Sequence, residues 1–212
     1  MSEAGTHMAD QGPVAYIVDD DDAIRDSLQW LLESVRLRVK SYPTAQAFLD
    51  DYTEDQCGCL IVDIRMPGMS GLELLEVLAA KNSRLPVIVI TGHGDVPSAV
   101  RAMKTGAVDF LEKPVVDQML LDRVQQSIEA HRKVIEDRLR HAQVEDRMKR
   151  LTPREREIMA SIVKGASNKA IASELGLSYK TVEVHRSRVM EKMEANSLAA
   201  LVRMVLKDVR PE

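Results

Sequence analysis

The 212 residues contain only two cysteines, and Cys57 and Cys59 flank a single glycine. With no further cysteine to pair with, a disulfide-stapled or cysteine-ligated architecture is excluded. Thiols this close bridge each other poorly, so both read as small apolar residues of a reducing compartment. No uncharged apolar run reaches the roughly 20 residues that a membrane-spanning helix needs. Residues 1–11 lack the apolar core of a signal peptide, and residues 1–12 read as a disordered lead-in. The expectation is a cytoplasmic protein with no membrane partner.

What is present is unevenly distributed. Residues 1–130 carry 11 Lys and Arg against 21 Asp and Glu, whereas residues 131–212 carry 18 against 12. An acidic half joined to a basic half predicts a cation site in the first and a polyanion partner for the second. The expected organisation is a domain over 13–130, a helical linker over 131–149 and a second domain over 150–212.

The first domain is organised around Cys59 to Gly68, an apolar run that ends in Asp63 and then breaks at Pro67-Gly68. Such a run suits a strand covered on both faces, as in parallel sheets. Three segments copy it: Val14 to Val18 ending in Asp19-Asp20, Val87 to Ile90 ending in Thr91, and Asp109 to Glu112 ending in Lys113-Pro114. A half-covered strand at Leu37, Val39 and Ser41 makes five, each alternating with a helix. The pattern predicts an α/β, doubly wound parallel sheet in the flavodoxin-like order 2-1-3-4-5. Function then falls at the crevice between strands one and three, where Asp19, Asp20 and Asp63 meet.

Three carboxylates repel unless a cation joins them, and hard oxygen ligands with room for water suit Mg²⁺. A carboxylate beside Mg²⁺ can attack phosphorus and form an aspartyl phosphate. The Thr91 hydroxyl can donate to a phosphoryl oxygen, and the Lys113 ammonium can neutralise another. Taken singly, the acidic run from Asp19 reads equally as a turn and helix cap, and Phe110 as plain core. His93 reads as a loop residue shaping water access to Asp63.

Asp19-Asp20, Asp63 with Met66-Pro67-Gly68, Thr91 and Lys113-Pro114 together resemble the receiver domain of two-component response regulators. The resemblance implies that Asp63 is the phosphoacceptor and that a histidine kinase is the donor. Asp19, Asp20, Asp63 and the backbone carbonyl of Arg65 would hold Mg²⁺. Thr91 and Phe110 would move on phosphorylation, and the peptide before Pro114 would be cis.

From Val116 a helical pattern runs without Gly or Pro as far as Pro153. Leu121, Ile128, Ile135 and Ala142 recur every seven residues, so both a coiled-coil seam and a solvated spacer are open readings. Thr152-Pro153-Arg154-Glu155 is a capping box with Pro at the first helical position. Helices starting at Ser167 and Ser178, separated by Gly176, form a helix-turn-helix pattern, and a further helix starts at Asn196 or Ser197.

On the helix from Ser178, Val182, Val189 and Met193 share one side, flanked by His185 and Arg186. Glu183, Val184 and Ser187 on the other side are candidate base contacts, Val184 through a thymine methyl. Lys169, Lys180, Arg186 and Arg188 are candidate DNA backbone contacts.

This region resembles the LuxR-type output domain, and the whole chain resembles the FixJ and NarL group of regulators, FixJ above all. The resemblance implies double-stranded DNA as partner, a homodimer when phosphorylated, and contacts through Leu198, Leu201, Val202, Val205 and Leu206, a stripe that its own core also claims. RNA polymerase is a further expected partner.

Two other classes fit these residues less well. A Mg²⁺-dependent phosphatase with an aspartyl phosphate resembles its relatives by a second Asp two residues after the nucleophile, and here Arg65 stands there. A receiver used only for dimerisation is disfavoured by intact Asp19, Asp20, Thr91 and Lys113.

Overall fold

The computed structural model describes residues 12–53, 56–92 and 96–209, with side chains described as far as Leu206. Most of the lead-in and His93 lie outside the described residues. The chain divides into two compact units between Ile135 and Glu136.

In the first unit β1 (Val14–Val18), α1 (Asp22–Ser34), β2 (Arg38–Tyr42), α2 (Ala45–Asp51), β3 (Gly58–Asp63), α3 (Gly71–Ala80), β4 (Val87–Thr91), α4 (Val96–Thr105) and β5 (Asp109–Glu112) alternate. All four strand pairs are parallel, and the order is β2-β1-β3-β4-β5, as expected. Every residue of β1, β3 and β4 is buried, which is why those strands read as unbroken apolar runs.

Alternate residues feed two cores. Tyr16, Leu60, Val62 and Val89 pack with Phe48, Leu74 and Leu78 of the helices on one face. Ile17, Ile61 and Ile90 pack with Leu32, Leu120 and Val124 on the other. The second core also takes Cys59, whose burial pushes its thiol up to about 12, a small apolar residue in effect.

Local chemistry starts the helices where the strands end. Asp21 caps α1, accepting the Ala23 N–H at 2.9 Å. Ser70 and Glu73 form a capping box at α3, legible as S-x-x-E in hindsight. At Gly71 a Cβ would run into the carbonyl oxygen of Asp63, so only glycine lets α3 begin this close to the end of β3.

A helix of 33 residues, α5 (Asp117–Lys149), follows. Of its seven-residue recurrence, Ile128 is buried in the first unit and Leu121 packs against the same core, so no free seam runs through them. His131 is buried too, its Nδ1 lying 3.1 Å from the N and 3.0 Å from the O of Gly58. Burial holds its pKa below the ordinary value, opposed by the Gly58 contact.

The second unit takes Val144 of α5 into a core built by α6 (Pro153–Val163), α7 (Asn168–Leu175), α8 (Tyr179–Lys192) and α9 (Leu198–Val209). Thr152, Ser167 and Ser178 cap the first three of these. Gly176 closes α7 at φ 64°, the left-handed turn between the two helices of the helix-turn-helix. The α9 stripe divides: Leu201 and Val205 are buried, whereas Leu198 and Leu206 are about half exposed.

Candidate functional site

The carboxyl ends of β1, β3 and β5 bring Asp19, Asp63 and Lys113 together. Asp19 and Asp63 are only 3% and 7% exposed, too buried for bare carboxylates. The Lys113 ammonium compensates both, with Nζ 2.7 Å from Asp19 Oδ2 and 2.7 Å from Asp63 Oδ1. Burial works against the lysine's charge, and its bonds to Asp19 and Asp63 outweigh this, so its pKa rises. The peptide between Lys113 and Pro114 is cis.

The second oxygen of each carboxylate also accepts a bond. The backbone N–H of Asp21 donates to Asp19 Oδ1 at 3.0 Å, and that of Arg65 to Asp63 Oδ2 at 2.6 Å. Thr91 is buried at the end of β4, and its carbonyl accepts the Lys113 N–H at 2.8 Å. Asp20 and Arg65 are exposed, and Phe110 is half-buried against the core. Arg25 received no role from the sequence, yet its guanidinium donates to the carbonyl of Asp19 at 2.7 Å.

Among the described residues no three acidic, His or Cys side chains converge into a ready-made metal cage. The carboxylates at the ends of β1 and β3, with the exposed Asp20 next to Asp19 in sequence, are nevertheless the right kind of donor for a hard cation that keeps several waters. Two buried acids share one lysine, which leaves negative charge to attract such a cation. The set fits Mg²⁺.

In the second unit Val182 and Val189 of α8 and its C-cap Met193 are completely buried. Lys180, Glu183, Val184, Ser187 and Arg188 are exposed, as is Lys169 on α7; Arg186 is half-buried. Val184 is 45% accessible among charged residues and lies outside the core cluster of the described residues. The buried acid of this unit, Glu155, is bound by the Thr152 N–H at 2.8 Å and the Lys192 ammonium at 2.7 Å. The sequence showed its capping role and missed the lysine.

A doubly wound sheet that holds two buried acids and a shared lysine at its strand ends, followed in one chain by a helix-turn-helix, defines a phosphorylation-controlled DNA-binding regulator. Two families match: "Response regulator receiver domain" over residues 15–125 and "Bacterial regulatory proteins, luxR family" over residues 149–205. The chain is 48% identical to the transcriptional regulatory protein FixJ of Azorhizobium caulinodans, covering 90% of each. It is 45% identical to FixJ of Bradyrhizobium diazoefficiens, over 91% of this chain and 94% of that protein. The solved structure of the response regulator StyR superimposes with a TM-score of 0.86 at 42% identity, covering 93% of this chain and all of that one.

The chain belongs to the response regulators with a LuxR-type output domain, and is a FixJ-like transcriptional regulator. The receiver implies a histidine kinase as partner and the output domain implies DNA; the family regulates transcription rather than turning over a substrate. Among the described residues no helix is long and apolar enough to cross a membrane.

Proposed function

We propose that Asp63 is the phosphoacceptor of this regulator and that its phosphorylation drives dimerisation and sequence-specific DNA binding. The observation that carries the reading is the Lys113 ammonium set 2.7 Å from both Asp19 and Asp63. An oxygen of Asp63 attacks phosphorus, the bond from phosphorus to the donor histidine nitrogen breaks, and its electron pair stays on the imidazole. Asp19, Asp20, Asp63 and the Arg65 carbonyl would hold Mg²⁺, which when bound would supply charge neutralisation for the transferring oxygens. Lys113 neutralises a further oxygen from its present position, and the Thr91 hydroxyl takes another as β4 readjusts.

Phe110 transmits the change by turning toward the space that Thr91 leaves. Dimerisation uses the adjoining surface, where Val100, Met103 and Val108 leave about half their surface in water. In the second unit Glu183, Val184 and Ser187 read bases, and Lys169, Lys180, Arg186 and Arg188 hold phosphates. Leu198, Val202 and Leu206, the outward part of the α9 stripe, meet a second copy. The protein acts in the cytoplasm, with RNA polymerase as the downstream partner, and domain limits of 13–130 and 150–212 describe it functionally.

The test is labelling with acetyl phosphate and Mg²⁺. Asp63→Asn retains the fold and loses the label; undiminished labelling of that variant rejects the assignment.

A further inference from the structure

Asp19 is held at every hydrogen-bonding group it owns. Its N–H donates to the Tyr42 carbonyl at 3.3 Å, Oδ1 accepts from Asp21, and Oδ2 accepts from Lys113. The fourth anchor is Arg25, whose Nη1 donates to the Asp19 carbonyl at 2.7 Å. That carbonyl belongs to the peptide joining Asp19 to Asp20. Because a peptide is planar, fixing its oxygen fixes the N–H of Asp20 and the direction from which the Asp20 backbone sets out.

Arg25 is itself well placed for this task. Its side chain is 13% exposed, its backbone N–H donates to the Asp21 carbonyl at 3.0 Å, and its Nη2 pairs with the Asp22 carboxylate. A planar fork serves two acceptors at once, which a single ammonium does less well. An ordinary helix-surface pair between residues three apart contributes little, and the Arg25–Asp22 pair alone does not require the bond to the Asp19 carbonyl.

We propose that Arg25 is a positioning residue for cation binding: by locking the Asp19–Asp20 peptide plane it sets the angle at which Asp20 meets the ion. The proposal rests on the Mg²⁺ reading of the site, with Mn²⁺ as the probe.

Binding of Mn²⁺ to the full chain is followed by the paramagnetic resonance of the free ion, in Arg25→Ala, Arg25→Lys and Asp22→Asn. Outer partners of metal ligands typically contribute about tenfold to a hundredfold in affinity. Arg25→Ala is expected to weaken binding by that factor and Arg25→Lys by less. Asp22→Asn, which keeps the carbonyl bond, binds as the unaltered chain does. In acetyl phosphate labelling, the Mg²⁺ concentration for half-maximal rate rises in Arg25→Ala, while the rate at saturating Mg²⁺ stays close to that of the unaltered chain.

Unchanged Mn²⁺ affinity in Arg25→Ala overturns the proposal, as does an equal loss in Asp22→Asn. If Arg25→Ala does not fold, Arg25→Lys decides, and unweakened binding there overturns it. Failure of the unaltered chain to bind one Mn²⁺ that Asp19→Asn abolishes is a different result: it removes the reading of the site, and the proposal with it.

Discussion

Each unit sets a lysine 2.7 Å from a buried carboxylate, Lys113 on Asp19 and Asp63 in one and Lys192 on Glu155 in the other. The chemistry of the contact is the same and the stoichiometry is not. Glu155 has one cation to itself, and its other bonds go to the Thr152 cap that starts α6. Its bond to Lys192 is the main reason its pKa falls to about 2, with burial opposing and Thr152 assisting. That pair is complete, and it fixes α6 against the end of α8. Among the described residues Asp19 and Asp63 share one lysine between two carboxylates at the strand ends, so their charge is under-compensated there. On the proposed reading, a buried acid is reactive where the architecture leaves it short of cations, and structural where it does not.

Removing each lysine separates the cases most sharply. Lys113→Ala is expected to slow acetyl phosphate labelling at saturating Mg²⁺ by about 100- to 1000-fold, the usual cost of one transition-state donor. Lys192→Ala should label at the normal rate and melt earlier. Equal labelling rates in the two variants would erase the distinction.

A smaller effect is expected at Glu155. Glu155→Ala loses a cap and a charge-assisted bond and should destabilise the second unit by about 2 kcal/mol in denaturant unfolding. The sign with pH follows from the lowered pKa. The contribution is fully present above the unfolded value of 4.5 and disappears as pH falls toward about 2. Glu155→Gln should lack that acid-dependent part, and an unaltered acid profile would refute the assignment.

The smallest effects lie on the exposed face of α8, where no buried pair is involved. Val184→Ala should change preference between matched and mutated half-sites by about 1 kcal/mol and leave the salt dependence alone. Lys180→Ala should weaken all sequences alike and lower the salt slope by roughly one ion. Titrations across salt concentrations check both, and exchanged outcomes would mean that the two faces have been misassigned.

The sheet order was legible because buried parallel strands betray themselves as unbroken apolar runs, and Asp19, Asp63, Thr91 and Lys113 stand where such runs stop. Partnerships across the fold were not legible. Lys192 and Glu155 lie 37 residues apart, and no local pattern joins them. Arg25 acts through a backbone carbonyl, which leaves no mark on composition or spacing. His131 lies 73 residues from Gly58, the residue its Nδ1 contacts in the fold. On α9 the period identified a stripe of five apolar residues but not its division, because adjacent rows of a helix differ in facing by only part of a turn.

The aromatic residues of this protein are confined almost wholly to one unit. Tyr16, Tyr42, Phe48 and Tyr52 form a contiguous group beside β1, with ring centroids 5.1 to 6.5 Å apart. Tyr179 is the one aromatic residue after Phe110 in the sequence, and it is exposed. Near-ultraviolet circular dichroism therefore reports the receiver almost alone, while the far-ultraviolet signal sums the helices of both units. Trp30, the single tryptophan, is 75% exposed, so its emission already resembles that of an indole in water and changes little on unfolding. A melt followed by fluorescence would miss the transition, and one followed at both dichroic wavelengths would resolve which unit fails first.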